Sequence, residues 1–162
     1  MCGVPPSLML LSSVLVVILS GCRAQPPSAL ETRAIDWTKL HITVGGKNDI
    51  NPVQASAQAI EDGRQAFSSY CMVCHGLDGQ NTGVPFAATL APPVPSLASP
   101  QVQAYTDGQL KWIIENGISP SGMPPSHGVF SDDDMWRMVI FIRHLPRPGS
   151  LGDPPVYGGS TH

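Results

Sequence analysis

The chain has 162 residues, with nine Lys or Arg against twelve Asp or Glu and a formal net charge of −3. This length supports one core of about 100 to 150 residues plus extensions. Charged residues make up only 13% and form no basic patch, so nucleic acid is excluded as a partner.

Leu8 to Leu19, "LMLLSSVLVVIL", is an apolar run of twelve residues. That is too short for a bilayer span and about the length of a signal-peptide core. It ends in "LSGC", Leu19 to Cys22, which resembles a bacterial lipobox. The resemblance implies cleavage before Cys22, a signal peptide over residues 1–21, and lipid on Cys22. The protein is then expected on the periplasmic or extracytoplasmic side of a bacterial membrane, anchored by that lipid. The leading "MCGVPPS" departs from the pattern in having no Lys or Arg, and an uncleaved anchor is the alternative. Residues 22–55 are polar, with Pro and Gly pairs. They read as a lipidated N-terminus and flexible linker with a reach of about 30 to 35 Å. Within them "LHITV", Leu40 to Val44, is expected to order only on contact.

A globular domain is expected over 56–146, followed by a flexible Pro/Gly tail over 147–162. Ile60, Gly63, Phe67 and Tyr70 recur at spacings of three and four, which places them on one helical face. Gly63 costs about 1 kcal/mol in a helix relative to Ala, and close approach of another helix would account for it. "TDGQLKWIIENG" predicts a second helix with Tyr105, Leu110, Ile113 and Ile114 inward, ended by Gly117. "DDDMWRMVIFIRHL" predicts a third, starting after Ser131 in a capping-box-like arrangement with Asp134 and stopped by Pro146. Its stripe of Met138, Phe141, Ile142 and Leu145 is expected to cross the Gly63–Phe67 face. The acids of "SDDD" read as a solvated helix start rather than a metal cluster. Between the helices, "VPFAATLAPPVPSLASP" and "ISPSGMPPSHG" are too rich in proline for helix to run through. A bulky apolar cofactor would give such loops a surface to pack on.

The first helix runs into "SSYCMVCHGLDG", with Cys71, Cys74 and His75 inside five positions. At this composition C-x-x-C-H arises by chance roughly 3 times in 1,000 chains, so chance is a poor explanation. Half a zinc site, a redox dithiol and covalent haem attachment are the chemistries to weigh. With Cys2 lost in the signal peptide and Cys22 lipidated, only Cys71 and Cys74 remain as thiols. A closed zinc site needs four ligands, and a second ligand pair is missing. No β-α-β pattern accompanies the motif as a thioredoxin-like dithiol would require. Export favours haem, with a disulfide or dithiol as the remaining alternative.

From about Ala59 to Pro146 the chain resembles a class I c-type cytochrome domain. The resemblance rests on "GRQAFSSYCMVCHG", "DGQLKWIIENG", "GMPP" and "MWRMVIFIRHLP" in that order, with Met123 following His75 by 48 residues (123 − 75). It implies an all-α cytochrome c fold, three or more helices wrapped around one covalent haem c and its iron. Cys71 and Cys74 would form the thioethers, and His75 would be one axial ligand. A proline-loop carbonyl, Pro85 before Pro92, would orient its ring. Met123, on a loop between Gly122 and Pro124, is expected as the other axial ligand, ahead of His127. Met72 lies in the attachment loop and Met135 and Met138 on a packed helix, while His41, His144 and His162 are expected to be solvated. Trp112 is weighed between a haem propionate and ordinary packing. Thioether ligation stabilises ferrous iron and raises the potential.

The expected function is therefore one-electron transfer, with no catalytic residues and with redox partner proteins of a respiratory or dehydrogenase chain. The alternative is a haem subunit of a membrane-bound dehydrogenase or oxidase complex. A peroxidase-like haem enzyme ranks third, since it requires Met123 to leave the iron open.

Overall fold

A computed structural model describes residues 28–38, 42–119 and 121–154. The expected signal peptide, Cys22, Leu40, His41, His162 and the end of the tail lie outside the described residues. Two compact units divide between Ala34 and Ile35. The site and core described below belong to the longer one.

Six α-helices occur among the described residues: α1 (Ala29–Thr38), α2 (Ala57–Tyr70), α3 (Met72–His75), α4 (Pro100–Gln103), α5 (Asp107–Asn116) and α6 (Asp132–Arg143). A 3-10 turn spans Pro85–Ala88. The described residues contain no strand, only isolated bridges joining Ile118 to Met123 and His127 to Phe130. No described helix is long and apolar enough to cross a membrane. The fold is all-α, as expected.

Helices α2 and α6 form the main packed pair, and their contact explains Gly63. A Cβ on Gly63 would lie 2.1 Å from the Arg137 carbonyl oxygen, so only glycine permits the observed approach. One turn on, the rings of Phe67 and Phe141 meet at 5.2 Å between centroids, tilted by 51°. Such pairs add about 0.5 to 1.5 kcal/mol beyond burial. Met138 and Val139 are closed to solvent, and Met135, Trp136, Leu110 and Ile114 complete the core. Each such side chain contributes about 1.5 to 3 kcal/mol by leaving water. Met135 and Met138 thus serve packing, in agreement with the sequence reading. Ile113 and Tyr105 are only partly buried.

Helix starts follow local chemistry. Ser131 accepts from Asp134 N–H at 3.1 Å and caps α6 as predicted. The Thr106 side chain and Gln109 form a reciprocal capping box on α5, which buries Gln109 at the helix entrance. Ser28 and Glu31 pair in the same way at the start of α1. The S-x-x-E signature of α1 is legible in "SALE", within what reads by composition as linker. Asp132 pairs with Lys111 at 2.6 Å, while Asp133 and Asp134 flank Arg137 at 3.5 and 3.3 Å.

The packed unit begins well before residue 56. Gly46 lies against Gly108, Gly45 lies under the Trp112 indole, and the Thr106 hydroxyl donates to the Lys47 carbonyl at 3.1 Å. The Asn51 amide donates to the Trp136 carbonyl at 3.2 Å. Residues 45–53 are therefore held on the helices, a correction to the free linker expected through residue 55. Composition concealed it because glycines that permit close approach resemble glycines that permit flexibility. The tail departs from its expectation in the same way. Gly149 N–H donates to Asp78 at 2.7 Å, and Pro154 is fully buried.

Candidate functional site

The end of α2 and the single turn of α3 assemble the cysteine and histidine side chains. Cys71 closes α2 through its N–H to the Phe67 carbonyl at 2.8 Å, and its own carbonyl accepts from His75 N–H at 3.0 Å. One continuous helical turn thus sets Cys71 and Cys74 at i and i+3, the spacing that shares a face. Gly76 ends the turn at φ 73°. A Cβ there would meet Thr82 N and O at 2.9 Å, so the chain leaves the motif close against its own return.

Both cysteines are free thiols and partly buried. Burial and the neighbouring Cys74 push the Cys71 thiol up to about 12, which keeps it protonated. Burial pushes His75 down to about 4, opposed by the backbone of Pro95. Proline has no backbone N–H, so the group facing the ring is the Pro95 carbonyl. The imidazole is therefore neutral at physiological pH, the form that ligates metal. Its Nδ1 is buried without a hydrogen-bond partner. The Pro95 carbonyl thus lies within electrostatic reach of the ring but is not aligned on Nδ1 as a good hydrogen bond. The backbone near the ring is that of Pro95, where Pro85 or Pro92 was expected. Pro85 is instead exposed at the start of the 3-10 turn, and the sequence offers nothing to rank one proline carbonyl above another. The Phe67 ring lies 6.4 Å from the imidazole, linking the site to the core.

The loop after the motif is built from polar contacts. Asp78, 1% exposed, accepts from Gln80 N–H at 2.8 Å, the Thr82 hydroxyl at 2.5 Å and Gly149 N–H at 2.7 Å. Burial alone would raise its pKa, but these donors overcome that cost and hold it below the ordinary carboxylate value. Asn81 takes the left-handed conformation at φ 65°. Its N–H donates to the His75 carbonyl at 2.7 Å and its side-chain amide to the Val94 carbonyl at 2.8 Å. Its Oδ1 is buried without a partner. Neither Asp78 nor Asn81 stands out in the sequence; the only signal is their place among the glycines of "HGLDGQNTG".

Met123 is partly buried, and its backbone fixes its position. Its carbonyl accepts from Ile118 N–H at 3.1 Å, and a Cβ on Gly117 would lie 2.5 Å from that oxygen. The loop is thereby folded back on the end of α5. His127 is exposed, with Nδ1 3.3 Å from the Glu115 carbonyl. His144 is exposed, as expected, and places Nδ1 2.8 Å from the Ile140 carbonyl. Trp112 packs on Gly45 rather than standing free.

Two free thiols on one turn, a neutral imidazole and an unpartnered buried ring nitrogen fit a haem that takes two thioether bonds and one histidine ligand. A structural zinc site would need four ligands, and no group of three or more His, Cys, Asp or Glu is gathered among the described residues. No curated protein matches the sequence. Residues 58–142, just over half of the chain, match the family described as cytochrome c oxidase, cbb3-type, subunit III. The chain belongs to that family, and residues 58–142 form a class I c-type cytochrome domain, which binds haem c and its iron covalently.

Proposed function

We propose that this chain carries single electrons at the outer face of a bacterial membrane, with haem c bonded to Cys71 and Cys74, iron held by His75 and Met123, and lipid on Cys22. The observation that carries this reading is the Cys71–His75 turn, where both thiols are free and the imidazole is neutral and only partly satisfied. Haem c, when bound, supplies a one-electron ferric/ferrous couple. Cys71 and Cys74 would hold it permanently, and burial keeps the His75 ring neutral. Met123 would be the second ligand, on a backbone fastened to the end of α5. With both His75 and Met123 holding the iron, no position would remain for peroxide or oxygen, which would separate a carrier from a peroxidase-like enzyme. The lipid anchor rests on "LSGC", and two or more acyl chains at about 0.8 kcal/mol per buried CH₂ would make it stable.

A second reading, an electron-transfer subunit of a membrane oxidase complex, is favoured by the description of the matching family. The two readings share the haem site and differ in partner. Stoichiometric recovery of a catalytic subunit with the chain from native membranes would select the complex.

The site is tested in the full-length protein purified from membranes. Haem colour should survive acid-acetone extraction and be lost on replacing Cys71 and Cys74 together by Ala. Complete extraction from the unmutated protein would defeat the attachment assignment. Reduced protein should bind carbon monoxide poorly. Met123→Ala should bind it readily and His127→Ala should not. The reverse pattern would move the axial ligand to His127, and rapid binding by the unmutated protein would revive the enzyme reading.

A further inference from the structure

Helix α1 has ten residues and exposes every described side chain from Ala29 to Trp37. A helix that short is marginal in water by itself and is ordinarily held by burying an apolar face. Leu30, Ala34 and Trp37, spaced i, i+4 and i+7, share one face at about 100° per residue, and Arg33 borders it. Leu30 is 77% exposed and Trp37 56%. Thr32 lies on the opposite side, where its hydroxyl donates to the Ser28 carbonyl at 3.0 Å. Two further observations point to a lipid surface as what covers the apolar face. Ala29 follows Cys22 by seven residues (29 − 22), a stretch that spans at most about 25 Å, so lipid on Cys22 keeps α1 near the membrane. Charge is divided in the same sense. Residues 23–47 hold Arg23, Arg33, Lys39 and Lys47 against Glu31 and Asp36, a net +2 (4 − 2), whereas residues 48–162 hold five basic against ten acidic residues, a net −5 (5 − 10). Anionic headgroups attract the first stretch and repel the second.

We propose that α1 lies along the surface of an anionic bilayer, with Leu30 and Trp37 at the acyl-chain boundary and Arg33 turned to the headgroups. The inference rests on the reading of Cys22 as lipidated. Tryptophan favours that depth because its ring is apolar while its N–H is polar. With α1 on the surface, the tether to the packed residues 45–53 is no longer the whole stretch from Cys22. It is the seven steps from Thr38 to Gly45 (45 − 38), at most about 25 Å. The haem domain is then kept beside the membrane, where it meets redox partners embedded there.

In mature holoprotein, with both motif thiols in thioethers and Cys22 acylated, an introduced cysteine is the thiol open to a nitroxide label. Full-length protein is reconstituted on phosphatidylglycerol vesicles with a label at Leu30→Cys, Ala34→Cys or Thr32→Cys. The ratio of oxygen to nickel-chelate collisions, read by electron paramagnetic resonance, should be higher at positions 30 and 34 than at 32 by about threefold or more. In phosphatidylcholine vesicles that contrast should shrink. Equal ratios at all three positions in acylated protein would overturn the proposal. So would an immobilised label at position 30 with no gain in oxygen contact, which would seat α1 on protein instead of lipid. A contrast equally large in phosphatidylcholine would overturn the preference for anionic lipid. An unchanged haem absorption spectrum shows that each variant keeps its domain intact. The mass of the N-terminal peptide reports the acyl chains separately, and a peptide without them would defeat the lipid anchor and this inference with it.

Discussion

The α2/α6 pair and the loop from Gly76 to Ser99 both border His75 and are held together by different means. The helices meet through apolar surface, with Phe67 against Phe141 and the Arg137 carbonyl in the space a side chain at Gly63 would fill. Few apolar side chains in the loop are buried, Val84 and Ala87 among them. It is fastened by Asp78 to Gly149 of the tail, by Gln80 to Pro146 and by Asn81 to Val94. Many small dispersion and burial terms make the first region intolerant of changes in volume and of any polar group buried without a partner. The second depends on a few directional bonds, each of which leaves a buried polar group unsatisfied when broken.

The largest break in the comparison is Gly63→Val. Its branched side chain must displace the α6 backbone at a carbonyl, with an expected loss of about 3 kcal/mol or more. The midpoint of denaturant unfolding of the holoprotein measures this. A variant as stable as wild type would mean that the helices separate at little cost.

A smaller and more local effect is expected from Asp78→Asn. At neutral pH it should lose about 1 to 3 kcal/mol by leaving buried donors mismatched. Amide exchange should rise in residues 76–84 and 149–154 before it rises in α2 or α6. The depressed pKa of Asp78 fixes the sign of the pH dependence. Its contribution is fully present above the unfolded value near 3.9 and is lost as pH falls through the lower folded value. The gap between wild type and Asp78→Asn should therefore be constant above about pH 5 and close on acidification below about pH 4. A gap that widens in acid would contradict the ionised, hydrogen-bonded carboxylate.

The smallest change, Ser131→Ala, sharpens the comparison from the helical side. It removes an exposed cap from α6 and should cost about 1 kcal/mol in the same denaturation measurement. Because the cap lies away from the 76–99 loop in sequence and its side chain hydrogen-bonds to Asp134 at its own helix start, the absorption of the haem should be unchanged. An altered haem spectrum would show that the two regions are coupled more tightly than their separate contacts imply.

The sequence by itself determined the parts whose cause is local or periodic. Three- and four-residue spacing located α2, α5 and α6, Ser131 with Asp134 marked a start, and an unfavourable Gly63 announced a close helix crossing. The five-residue motif likewise placed Cys71, Cys74 and His75 on one turn, since no other part of the chain is needed to bring them together. Tertiary structure alone decided which proline carbonyl faces His75, because the loop between them has no period and its path depends on Asn81 reaching Val94 across thirteen residues. It also decided that residues 45–53 and 149–154 lie on the domain. Their partners, Gly108, Trp136 and Asp78, are distant in sequence, and a hydrogen bond between remote residues leaves no pattern in the local composition of either.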